Sequence, residues 1–135
     1  MKLSQLLIFL VLSFTSSLLH AEDVKKIVLH INDGFKLGHL ENSVNNLFKE
    51  IGTDIDVKVV VNGKAVTRLL RTNNESAKIV KSVLDHGVII GLCHNAVNNN
   101  RVKKEMLIEG LNVLEQDGNV TILKYQSQGF YYIKL

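Results

Sequence analysis

The sequence predicts an α/β fold, a mostly parallel sheet of about five strands with helices on both faces. Three observations carry this expectation. Short runs rich in β-branched residues alternate along the chain with helix-length segments whose apolar residues recur at helical spacing. The runs end in Asn, Asp or Gly turn signals. One of them, "GVIIGL" (87–92), is apolar throughout, as a strand must be when both of its faces are covered. Strands joined through helices run parallel, because the crossover returns each strand in the same direction.

The elements follow in order. "KKIVLHI" (25–31) is a first strand, closed by Asn32-Asp33-Gly34. Leu37, Leu40, Val44, Leu47, Phe48 and Ile51 then mark one face of a helix, and Gly52 is expected to stop it in a left-handed conformation. "IDVKVVV" (55–61) is a second strand that ends at Asn62-Gly63, and Val66, Leu69 and Leu70 suggest a brief helix after it. Asn74 is placed to cap a further helix with the apolar face Ala77, Val80, Val83 and Leu84, stopped by Gly87. The third strand is "GVIIGL", the fourth "LNVLE" (111–115) and the fifth "FYYIK" (130–134). "NVTILKYQSQ" (119–128) has the β-branched content of a strand, yet Val120, Leu123 and Ser127 fit a helix face. The alternation of the whole chain decides for helix.

The amino-terminal stretch is of a different kind. Lys2 precedes an uncharged apolar run from Leu3 to Leu19, and Ala21 stands just before the charged "EDVKK". This is the pattern of a secretory signal peptide, residues 1–21, rather than of a retained anchor, since Ser13, Thr15, Ser16 and Ser17 interrupt the run. A periplasmic protein without stable membrane insertion is therefore expected, with residues 22–135 as one domain. Lys2 leaves with the signal, so the formal charge falls from +3 to +2. That balance, with scattered lysines, gives no reason to expect a nucleic-acid partner. No glycine fingerprint of a dinucleotide or flavin site is present, and no cofactor is expected. His30, Cys93 and His94 lack close ligand spacing, so no metal site is expected either.

Candidate function centres on Cys93, the single cysteine of the chain, placed where the third strand gives way to "HNAVNNN". In open parallel sheets, ligands and reactive groups gather at the carboxyl ends of the strands. His30 and Asn32 fall at the end of the first strand, Asn62 and Gly63 at the end of the second, and Cys93, His94 and Asn95 at the end of the third. A helix beginning soon after Cys93 would favour a thiolate there, as in nucleophilic cysteines. The competing reading treats Cys93 as a small buried hydrophobe, in a non-catalytic ligand-binding or assembly protein. A lone cysteine in an exported chain has no internal disulfide partner.

The chain resembles the exported members of the DsrE/DsrF-like sulfur-relay family, nearly from end to end. The resemblance is carried by "KIVLHIND", "NNLFKEIG", "VKVVVNGKAVTRLL", "GVIIGLCHNAV" and "YQSQGFYYIKL", the cysteine loop and the carboxyl-terminal motif being the specific parts. Cys93 matches the family cysteine and Asn95 the asparagine two residues on. His94 stands where a glycine is common, Ala96 where a threonine is common, and Asn62 where many relatives have histidine before Gly63. The resemblance implies a sulfur (persulfide) carrier, sulfurtransferase-like rather than a turnover enzyme. It also implies a homo-oligomer, trimer or hexamer, that exchanges sulfur with donor and acceptor proteins or small sulfane-sulfur compounds.

Overall fold

The computed structural model describes residues 24–135, and the expected signal peptide lies outside them. Five parallel strands form one sheet: β1 (Lys25–Ile31), β2 (Ile55–Val61), β3 (Ile89–Leu92), β4 (Asn112–Val113) and β5 (Tyr131–Lys134). Their order across the sheet is β4-β3-β2-β1-β5. The helices among the described residues are α1 (Leu37–Ile51), α2 (Asn74–Leu84), α3 (His94–Asn99) and α4 (Gly118–Ser127). The brief helix expected after β2 is a 3₁₀ helix, Gly63–Arg68.

Side chains of a strand alternate between its faces, and here both faces are covered. Ile27, Leu29 and Ile31 of β1 and Val57, Val59 and Val61 of β2 pack with Leu40 and Val44 of α1 and Val80 and Val83 of α2. Val28 and Val60 point to the other face, under Ile122 of α4 and Phe130, flanked by Leu114 and Tyr125. This is why β2 reads as a continuous apolar run, Val59–Val61, toward its carboxyl end, and why β1 is apolar there except for His30. The chain therefore steps from β1 to β3 with α1 and α2 on one face. It then returns across the opposite face through α4, which sets β5 beyond β1.

β3, β4 and β5 are shorter than the runs 87–92, 111–115 and 130–134 expected for them, and four further details depart from the sequence reading. The cap of α2 is Asn73, whose side chain accepts the Ser76 N–H at 3.1 Å, while Asn74 is the first helical residue. Gly52 ends α1 with positive φ (104°) but extended ψ (−171°), so its stop is glycine-specific without being left-handed helical. Ile89 is 45% exposed: it lies beside Lys58 on the sheet face that carries Val60, and the start of β3 is left uncovered on that face. Finally, α4 forms where expected but buries Gly118, Thr121 and Ile122, with Tyr125 packed behind them, whereas Val120 and Leu123 are 50% and 68% exposed. The inward stripe contains a glycine and a threonine, which apolar spacing does not count.

Candidate functional site

The sheet ladder continues one residue past its strands. Asn62 N–H donates to the Ile31 carbonyl at 2.9 Å, Cys93 N–H to Val61 at 2.9 Å, and Leu114 N–H to Leu92 at 2.8 Å. The carboxyl ends of β1 to β4 thus share one rim. At that rim the chain leaving β3 enters α3, whose Ala96 and Val97 join the core on the α1/α2 face. The chain leaving β4 enters α4 on the opposite face. Adjacent strands whose continuations part in this way mark the usual place for a ligand in an open α/β sheet.

Cys93 stands at this rim as the residue preceding α3. It is a free cysteine, 4% exposed. Its Sγ accepts the backbone N–H of Gly118 at 3.2 Å and donates to Oδ2 of Asp117 at 3.5 Å. Asp117 is itself fixed from two sides. Its Oδ1 accepts the Asn119 N–H at 2.8 Å, which caps α4, and its Oδ2 accepts Nδ2 of Asn95 at 3.0 Å. The Asn119 N–H first, and the Asn95 amide next, hold the Asp117 carboxyl below its ordinary value of 3.8, so it is a carboxylate at neutral pH.

Asn62 completes the cluster from the end of β2. Its Nδ2 donates to Oδ1 of Asn119 at 3.1 Å, and its carboxamide lies directly against Gly118, where a Cβ would collide with it. Glycine at 118 is what lets the start of α4 approach Asn62 and direct its N–H to the sulfur.

The other residues singled out in the sequence are arranged differently. Asn95 joins the cluster through Asp117. His94 is exposed and its Nε2 accepts from Asn98, one turn along α3, at 2.9 Å. Gly63 has φ 59° and shapes the turn after β2, and its carbonyl accepts from Asn100 at 3.5 Å. Asn32 is exposed, its backbone oxygen 3.6 Å from where a Cβ on Gly63 would sit. His30 lies on β1, with β2 between it and β3, which places it roughly 10 Å from the sulfur by strand spacing. Among the described residues no cluster of three or more His, Cys, Asp or Glu side chains could hold a metal ion.

His30 forms a separate buried group. Its Nδ1 is 2.8 Å from the Tyr132 hydroxyl, and its Nε2 is buried without a hydrogen-bond partner. Burial, and then the charge of Lys134, hold its pKa below the ordinary 6.5. The unfolded chain therefore takes up this proton first as pH falls. The stability that neutral His30 contributes is complete above about pH 6.5 and declines below it. Thermal midpoints measured from pH 7.5 to 5.5 are expected to fall, and His30→Gln should flatten that slope. An equal slope in the variant would assign the effect to other groups. Asp117 titrates lower and does not contribute in this window.

Asp117, Gly118 and Asn119 were not singled out from the sequence, although a signal exists. "QDGN" (116–119) follows the fourth strand and precedes a helix, so the same strand-end rule that selects Cys93 also selects Asp117.

No family model matches the chain, and no curated protein matches it in sequence. Solved structures do. MTH1491, a protein of unknown function from Methanobacterium thermoautotrophicum, matches with a TM-score of 0.74 and 25% identity over 82% of this chain and 99% of its own. The ychN protein from E. coli matches with a TM-score of 0.68 and 16% identity, covering 82% of this chain and 99% of its own. BT1422, a conserved protein of unknown function from Bacteroides thetaiotaomicron, gives 0.65 and 14%, over 86% and 100%. These neighbours share the fold over almost their entire lengths.

Proposed function

We propose that the chain is an exported DsrE/DsrF-like protein that carries sulfur on Cys93 as a persulfide. The observation that carries this reading is the free Cys93 sulfur at the carboxyl rim, with the Gly118 N–H directed at it. A fixed N–H at 3.2 Å stabilises negative charge that develops on sulfur without reorganising. The step is a displacement. The Cys93 thiolate attacks the outer sulfur of a donor persulfide, a new S–S bond forms, the donor S–S bond breaks, and the donor leaves as a thiolate. The thiol proton goes to water, since Asp117, held below the ordinary carboxylate range, is a weak base. Passage to an acceptor thiol repeats the displacement in reverse, so the protein acts as a carrier.

Export rests on the apolar run from Leu3 to Leu19. Assembly as a trimer or hexamer is supported by apolar surface on α4 and β5, where Val120, Leu123, Tyr131, Tyr132 and Ile133 are exposed. The burial of Cys93 within the core favours one competing reading, a structural cysteine in a binding or assembly protein.

Incubation of the folded protein with a sulfane-sulfur donor separates the two. The carrier is expected to gain one sulfur, about 32 Da in intact mass, removable by reductant. A mass unchanged under conditions that persulfidate a free thiol would leave the structural reading.

A further inference from the structure

Among the described residues, one charged side chain bonds to the sulfur. Asp117 Oδ2 lies 3.5 Å from Cys93 Sγ, locked there by Asn95 and by the Asn119 N–H. The other side chains that bond into the cluster, Asn62, Asn95 and Asn119, are neutral. His94 is paired with Asn98. Lys64 beyond β2, Arg101 beyond α3, and Glu115 and Lys124 on either side of the α4 start are all exposed. None of the ion pairs among the described residues involves Asp117. Its carboxylate is therefore not neutralised by any ion pair among the described residues, and any molecule that reaches the sulfur must approach it.

We infer that Asp117 sets the class of sulfur donor, admitting donors that are uncharged or cationic beside the reacting sulfur and disfavouring anions such as thiosulfate. This rests on the carrier reading of Cys93. A like charge held a few ångströms from the reaction centre repels an anionic reactant through the whole approach, and a neutral one feels no such force. A donor protein would meet the same requirement by presenting Lys or Arg next to its persulfide, pairing with Asp117 as it docks.

Two alkylating reagents of matched chemistry test this on the whole folded protein. Iodoacetamide and iodoacetate both form an S–C bond to Cys93 and expel iodide, but only iodoacetate is an anion. The urea-unfolded chain gives the reference ratio of the two rates. The folded protein should favour iodoacetamide over that reference by on the order of fivefold, the factor expected for one solvent-screened charge at this range. Asp117→Asn keeps the α4 cap, because Asn caps as well as Asp, and should return the ratio to the reference. Raised salt should shrink the difference in the wild type only. Labelling of the folded protein with the same ratio in both variants would overturn the inference and leave the carrier reading intact. A Cys93 that neither reagent labels in the folded protein would remove the carrier reading, and this inference with it.

Discussion

Cys93→Ser is expected to fold and to lose the sulfur adduct completely. The side chain occupies a small buried position, and a serine hydroxyl can accept the Gly118 N–H and donate to Asp117 as the thiol does. The oxygen is smaller and more costly to bury, so a loss of about 1 kcal/mol is expected, within the ordinary range for single substitutions. No other cysteine exists to take its place. Intact mass after exposure to a sulfane-sulfur donor should therefore show no reducible gain in the variant, whereas urea titration should show a cooperative unfolding close to that of the parent. An adduct that persists in Cys93→Ser would place the sulfur chemistry elsewhere.

Gly118→Ala should have the second large effect, and for a steric reason. The added Cβ would fall on the Asn62 carboxamide, whose Oδ1 is already buried without a hydrogen-bond partner. Either Asn62 moves, breaking its bond to Asn119, or the start of α4 lifts from the rim and the N–H leaves the sulfur. Overpacking of this kind costs about 1–3 kcal/mol. Alanine is the better helix former by up to about 1 kcal/mol, which offsets part of that. A net loss of about 1–2 kcal/mol in urea unfolding is expected, together with an altered alkylation rate at Cys93. A variant as stable as the parent, with unchanged alkylation, would show that Asn62 yields freely and that the close approach has no role.

The course of the chain was legible because local patterns and the tertiary fold agree. The bounds expected for β1 and β2, 25–31 and 55–61, are those observed, since both strands are rich in β-branched residues and end at turns marked by Asn and Gly. The helical assignment of 119–128 came from topology rather than residue preference, because a strand there would have broken the alternation. Its buried face was misjudged because burial is decided by what lies opposite. Val28, Val60 and Phe130 receive Ile122, and the tight approach to Asn62 requires Gly118. The carboxyl-rim rule placed Cys93 and Asn62 together, and Asn95 followed. Separating His30 from the sulfur needed the strand order, which puts β2 between them. Asp117 comes from 24 residues further along, and its contact with Cys93 depends on how far α4 folds back over the rim.

Sulfur carriage requires Cys93 to be a working thiol in the folded protein although it is only 4% exposed. Its alkylation by iodoacetamide, followed by intact mass in native buffer and in urea, tests this most directly. Labelling should proceed to completion in native buffer with the folded circular dichroism spectrum retained, because a sulfur carrier must meet its donor without unfolding. Labelling confined to the urea-unfolded chain would contradict the account and make Cys93 a core residue.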